Sequence, residues 1–187
     1  MKRIAIFASG NGSNAENIIR YFRDNDAGGD VVLVLSNNPE AAVIRRGENL
    51  GVRTAVMSRQ EINDPQKILP LLNSMSVDMI VLAGFLLMVP AFIIRAYSGR
   101  IINIHPALLP RFGGKGMFGS NVHRAVVEAG ETETGITIHH VSEKYDEGRI
   151  IFQAKVPLSP TDTPAQVEEK VHILERLHFP RVIAEML

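Results

Sequence analysis

Cysteine is absent from the 187 residues of this chain. That excludes a disulfide scaffold, a thiolate zinc site and a cysteine nucleophile. Net charge is absent as well. Twenty Lys and Arg balance twenty Asp and Glu, so no strong field draws in nucleic acid or an anionic membrane. Nor is there a hydrophobic run long enough to cross a bilayer near the start. The apolar stretch 4–8, after Met1-Lys2-Arg3, is too short for a signal-peptide core or a span. The expectation is a cytoplasmic protein with neither a membrane nor a nucleic-acid partner. Metal-site patterns are missing too. His139 and His140 are neighbours on a predicted strand and point to opposite faces, while His172 and His178 sit six apart on a predicted helix. With no His-Glu-x-x-His motif, no metal is expected.

What is present is an ordinary globular composition, 45% hydrophobic and 21% charged, long enough for one domain over residues 1–187. No repeat or linker divides the chain. Its elements alternate. Apolar runs at 4–8, 31–35 and 79–83 read as strands buried on both faces, and 53–57 as a short strand. Between them, 14–23, 41–50 and 65–74 carry helical spacing; Ser13 and Glu16 suit a capping box, and Pro65 opens the third helix. This order predicts a Rossmann-like, doubly wound and mostly parallel α/β sheet. The second half differs. A strand at 101–105 leads to a glycine-rich loop and a helix at 121–129. Strands at 136–141 and 150–156 lie so close in sequence that they predict an antiparallel C-terminal portion. Thr163, Pro164 and Gln166 start a last helix, which Pro180 is expected to kink or break.

Three constellations carry chemistry. Gly10-Asn11-Gly12-Ser13-Asn14-Ala15 joins the first strand to the first helix in the pattern G-x-G-x-x-A. Small residues there let backbone N–H groups approach an anion at the positive helix end. A dinucleotide site would want an acidic residue after the second strand, where this chain has Ser36-Asn37-Asn38. A monophosphate ester is therefore favoured over NAD, and a tight turn without a ligand is the other reading. Asn103 and His105 lie two apart and share a strand face, so both could donate to an oxygen that becomes negative; a solvated strand end would look the same. Asp146, in Tyr145-Asp146-Glu147-Gly148, reads by itself as a solvated turn residue. Thr137 and His139 share one face of the predicted strand 136–141.

Taken with Leu82-Ala83-Gly84-Phe85, Asn103-Ile104-His105-Pro106 and Leu108-Leu109-Pro110, these residues resemble the folate-dependent formyltransferase superfamily. Within it they resemble the ribonucleotide-using branch, the glycinamide ribonucleotide transformylases. The resemblance covers essentially the whole chain. It implies the formyltransferase fold and formyl transfer in purine biosynthesis. The donor would be 10-formyltetrahydrofolate, acting as co-substrate, and the acceptor the amine of glycinamide ribonucleotide. It further implies that Asn103, His105 and Asp146 form the catalytic group, with His105 protonated. Gly12, Ser13, Asn14 and Glu175 would hold the ribonucleotide. Leu86, Leu87, Met88 and Val89 would meet the pterin, while Ser142, Glu143, Lys144, Tyr145 and Asp146 would form the other wall of the folate pocket, with Thr137 and His139 lining the site. The protein would be a monomer or weak homodimer.

Departures from the family pattern are Leu87, where arginine is frequent, the loop 111–120, and a short C-terminus after Glu175. A formyltetrahydrofolate hydrolase of the same superfamily and a non-catalytic nucleotide-binding module are the alternatives. A hydrolase is expected to carry a further domain before its catalytic one, and a tRNA-formylating relative a nucleic-acid-binding domain after it. The loop 113–120, with four glycines, is expected to be mobile; it reads either as a lid, with Lys115 approaching a phosphate or carboxylate, or as a plain surface loop. One outcome follows for the phosphate loop. Gly12→Val should raise the KM for the ribonucleotide strongly and leave folate binding little changed. Steady-state kinetics against each substrate, with the fold checked, decides it; an unchanged ribonucleotide KM would remove the loop from the binding site.

Overall fold

The structure is a computed structural model describing residues 1–187. Its elements in chain order are β1 (Lys2–Phe7), α1 (Ser13–Asp24), β2 (Gly29–Ser36), α2 (Ala42–Asn49), β3 (Arg53–Val56), α3 (Arg59–Ile62), α4 (Pro65–Ser74), β4 (Met79–Leu82), α5 (Ala91–Ala96), β5 (Ile101–His105), α6 (Ser120–Glu128), β6 (Glu133–His140), β7 (Ile150–Pro157) and α7 (Pro164–Glu185). The strands form one sheet in the order β3-β2-β1-β4-β5-β6-β7. The first five are parallel; β6 and β7 add antiparallel. This is the doubly wound sheet with an antiparallel C-terminal portion that the alternation predicts. Two short helices, α3 and α5, were too brief for periodicity to reveal.

Both faces of the sheet are covered, because alternate residues of each central strand feed opposite cores. Ile4 and Ile6 of β1 pack with α1 and α7 residues such as Ile18 and Phe179. Ala5 and Phe7 pack with Ile68 and Leu72 of α4 on the other face. The chain winds from β1 outward through β2 to β3, then returns to β4 on the far side of β1. Where neighbouring strands feed connections running in opposite directions, their carboxyl ends leave a crevice. The loops after β1 and β4 border it.

Two local expectations fail for stated reasons. The Ser13–Glu16 capping box does not form. Gly12, not Ser13, is the N-cap of α1, with φ 81° and no side-chain cap, so its neighbour's hydroxyl is already inside the helix. Glu16 instead pairs with Arg20 at 2.8 Å and with Arg46 of α2. Gly12 is required by space as well as by its left-handed backbone: a Cβ there would lie 2.5 Å from Val43 Cβ. Gly12→Val therefore disturbs the contact with α2 in addition to any anion.

The second failure is at Pro180, where α7 continues unbroken from Pro164 to Glu185. Proline has no N–H, so the carbonyl of Arg176, four residues back, lacks its helical donor. Asn17 of α1 supplies one, its Nδ2 donating to that carbonyl at 3.0 Å. A side chain 159 residues away in sequence thus stands in for the missing backbone bond. Asn17→Ala should cost about 0.5–1.5 kcal/mol of stability, and less in a Pro180→Ala background, where the helix supplies its own donor. Denaturant melts of the four proteins measure the coupling. An equal cost in both backgrounds would mean that Asn17 does not substitute for the proline's N–H.

Candidate active site

One cavity of about 660 Å³ opens at the carboxyl ends of β1, β4 and β5. At one end stands the N-terminus of α1. With no side-chain cap on Gly12, the first-turn N–H groups of this helix have no intrahelical partner and favour an anion. The side chains nearby are less free than the sequence suggests. Asn14 Nδ2 donates to Glu175 Oε2 at 2.9 Å, tying α1 to α7. Asn11 is held through its carbonyl and its side chain by Arg46, at 2.9 Å in each case. The anion-binding capacity of the loop is therefore mainly backbone. Burial pushes the Glu175 carboxyl above its usual range, and the bond from Asn14 offsets this only in part.

At the other end, strand pairing assembles a polar cluster. The antiparallel register sets His139 of β6 opposite Asn103 of β5, and Thr137 opposite His105. His139 Nδ1 lies 2.8 Å from the His140 carbonyl. A carbonyl only accepts, so a proton is on Nδ1, and a lone pair on Nε2 can accept from Asn103 Nδ2 at 3.1 Å. This orients the Asn103 amide and leaves its second N–H free. His105 Nε2 donates to the Phe112 carbonyl at 2.7 Å. Its Nδ1 is 3.5 Å from Asp146 Oδ2. Asp146 Oδ2 accepts the Gly114 N–H at 2.9 Å, and Oδ1 lies 3.6 Å from His139 Nε2.

Asp146 is thus no solvated turn residue: its side chain is 13% exposed, on a backbone with φ 54°. Burial by itself would raise its carboxyl. The bond from His139, His105 once acid has charged it, and the Gly114 N–H together outweigh that and hold it below its usual range. His105 differs from expectation. Burial lowers the imidazole from its ordinary 6.5, and neither Asp146 nor the Phe112 carbonyl offsets the whole of this. The free protein therefore holds His105 neutral at pH 7 with its proton on Nε2. The Asp146 carboxylate, 3.5 Å away, favours the charged form but does not outweigh burial in the free protein.

The remaining expected residues separate cleanly. Gly12, Ser13, Asn14, Glu175, Leu86, Leu87, Met88, Val89, Ser142, Lys144, Tyr145 and His139 wall the cavity together with Asn103, His105 and Asp146. Leu86, Met88 and Tyr145 present exposed apolar surface at its mouth. Leu87, where the family often has arginine, packs against the α4 side of the core. Thr137 and Glu143 are corrections. Thr137 is fully buried; its hydroxyl accepts the Leu109 N–H and donates to the Ala107 carbonyl, bracing the turn after β5 from behind. Glu143 turns outward toward Arg95, 3.7 Å away. Sequence reasoning missed His123, Glu168 and His172, which also border the cavity. His172 was accessible in principle, since it lies three residues before Glu175 and shares its helix face. No three acidic or histidine side chains gather as metal ligands, and no helix is long and apolar enough to cross a membrane.

Residues 2–183 match the family described as formyl transferase. The chain is 39% identical over 175 residues to the chloroplastic phosphoribosylglycinamide formyltransferase of Arabidopsis thaliana, covering 91% of this chain and 60% of that protein. It is 35% identical to the phosphoribosylglycinamide formyltransferase of Bacillus subtilis (strain 168), covering 100% of this chain and 95% of that one. Against the trifunctional purine biosynthetic protein adenosine-3 of Drosophila melanogaster the identity is 37%, over all of this chain but 14% of the longer protein. The crystal structure of glycinamide ribonucleotide transformylase 1 from Geobacillus kaustophilus matches with a TM-score of 0.91 at 35% identity, covering 100% of this chain and 99% of that chain.

The buried imidazoles make stability depend on pH. His105 and His123 are both lowered from 6.5, first of all by burial, and His140 and His178 shift the same way. On acidification the unfolded chain takes up these protons first, so stability is lost as pH falls through and below about 6.5. Glu175, raised from 4.5, acts in the opposite sense but is one group against four. Asp146, lowered from 3.8, adds its loss only in stronger acid. The urea midpoint should therefore fall between about pH 7.5 and about pH 5.5, before most carboxylates titrate. A flat midpoint over that interval would show that these rings are not buried neutral.

Proposed function

The chain belongs to the formyl transferase family, and from that premise we propose that it transfers the formyl group of 10-formyltetrahydrofolate to the amine of glycinamide ribonucleotide, a step of purine biosynthesis. The observation that carries this reading is the two-ended cavity. An anion-favouring helix terminus beside Glu175 lies at one end, and Asn103, His105 and Asp146 converge at the other. A phosphorylated substrate held at the first end has its amine directed toward the second. The reduced folate is a second substrate, for which the apolar mouth at Leu86, Met88 and Tyr145 offers a surface.

The amine attacks the formyl carbon, forming a C–N bond and placing negative charge on the formyl oxygen. The free N–H of Asn103 is one donor to that oxygen. His105 Nε2–H is the other, once the oxygen replaces the Phe112 carbonyl as its acceptor. The loss of one such donor costs on the order of 100- to 1,000-fold in rate. The amine gives up a proton, the bond from the formyl carbon to N10 breaks, and N10 gains a proton. His105 starts neutral with its proton on Nε2, so the amine's proton reaches the free Nδ1, on the Asp146 side, through water; the ionised Asp146 stabilises the imidazolium so formed, which returns a proton by the same route to N10 as the bond to the formyl carbon breaks. Phosphate binding at α1 contributes proximity, confining the amine near the formyl carbon. No enzyme-bound covalent intermediate is required.

The decisive assay mixes the protein with 10-formyltetrahydrofolate, with and without glycinamide ribonucleotide, and follows the folate absorbance. Turnover only with the ribonucleotide supports transfer. Formate release without it identifies a hydrolase, and no turnover in either case a binding module. Within the transferase reading, Asp146→Asn keeps an acceptor for the Gly114 N–H and should fold normally. It should bind both substrates within a few-fold and lose about 100-fold or more in kcat. Combined with His105→Ala, the loss should be far smaller than the product of the single losses, because the pair acts as a unit. Near-native turnover of Asp146→Asn would remove it from the proton route.

A further inference from the structure

His123 has no part in the reaction as derived above, yet it is the least satisfied polar side chain near the site. It lies in the first turns of α6 and is 2% exposed. Its Nδ1 is shut off from solvent and has no hydrogen-bond partner. Its ring nevertheless borders the cavity. A neutral imidazole carries one N–H and one lone pair. A buried N–H without an acceptor is rarer in proteins than an under-used acceptor, so the tautomer that leaves the lone pair orphaned on Nδ1 is the favoured one. The proton is then on Nε2.

The position of the ring decides what that N–H can meet. Helix α6 packs against α7. The charged and titratable groups that His123 senses are Glu168 and His172 of α7 and His105 of β5. It therefore stands between the catalytic cluster and the end of the cavity where Asn14 holds Glu175. Burial lowers the His123 imidazole further from its charged form, and the neighbouring His172 and His105 act in the same direction against Glu168.

Resting on the function proposed above, we infer that His123 is a substrate-binding residue whose Nε2–H donates to an oxygen of the phosphoribosyl portion of the ribonucleotide. It acts as an uncharged donor, in contrast to the helix terminus and the charged groups around it. No protein group accepts from Nε2–H, so a ligand oxygen at the cavity wall can take that bond without displacing an internal one, while Nδ1 stays buried behind the ring.

His123→Phe keeps the bulk of the ring and removes both nitrogens. Calorimetry should show the ribonucleotide bound about tenfold more weakly, with 10-formyltetrahydrofolate bound within about twofold and kcat at saturation within about threefold of wild type. A structural histidine would show a different pattern, in which the free variant melts at a lower temperature. Here the free variant should melt no lower than wild type, and only the rise in Tm on adding ribonucleotide should shrink. Nitrogen-15 NMR of the unaltered protein tests the same contact without a mutation. The His123 Nε2–H signal should shift with the ribonucleotide and not with folate alone. Equal ribonucleotide affinity in the variant, or a ring signal that responds only to folate, overturns the inference. If wild type fails to bind the ribonucleotide at all, the proposed function falls with it; if wild type binds and His123→Phe is indistinguishable, only the role of His123 falls.

Discussion

A single buried carboxylate organises the catalytic end of this molecule. Asp146 lies on the connection between β6 and β7, with His105 of β5 beside one oxygen and His139 of β6 beside the other. The Gly114 N–H secures it to the loop after β5. An ionised group that is mostly removed from water needs compensation from every side. That need couples three segments: the inner strand end, the antiparallel strand next to it and the glycine-rich loop. The loop has to approach closely, and a Cβ at Gly113 would lie 2.5 Å from the Leu109 side chain and 3.3 Å from Asp146 Cβ. A glycine here is thus a condition of the contact.

The same loop also restrains the imidazole. In the free protein the Phe112 carbonyl takes the Nε2–H that the proposed reaction needs, and Phe112 has φ 56°, an unusual backbone conformation for a bulky residue. The donor is kept satisfied while no substrate is present. In the proposed reaction, donation by His105 therefore includes an exchange of acceptors, from a backbone carbonyl to the developing oxyanion, which carries more charge and accepts more strongly. Asn103 needs no such exchange, because His139 fixes one of its N–H groups and leaves the other for the ligand.

The opposite end of the cavity depends on the α1–α7 contact. Asn14 reaches Glu175, and Asn17 completes the backbone of α7 behind Pro180. These bonds join the helix that favours an anion to the helix that carries Glu175 and His172. They set the separation between the two ends within which the proposed ribonucleotide must fit.

The sequence by itself determined the mostly parallel sheet and its antiparallel end, because buried strands and their helices are encoded locally by apolar runs, periodicity and caps. It also made the loop before α1 legible, because its glycines and following helix are contiguous. Asn103 and His105 were legible as a pair because alternation along one strand places them on one face. Other features were beyond local reading. Asp146 resembles any acidic turn residue until His105, His139 and Gly114 surround it. The His139–Asn103 bond depends on strand register, and the bridging of Pro180 by Asn17 on helix packing across 163 residues of chain (180 minus 17). The protonation of His105 depends on how burial balances against a carboxylate 3.5 Å away. Only the tertiary structure decided these, because desolvation and hydrogen-bond pairing are properties of an enclosed space, and no stretch of chain encloses itself.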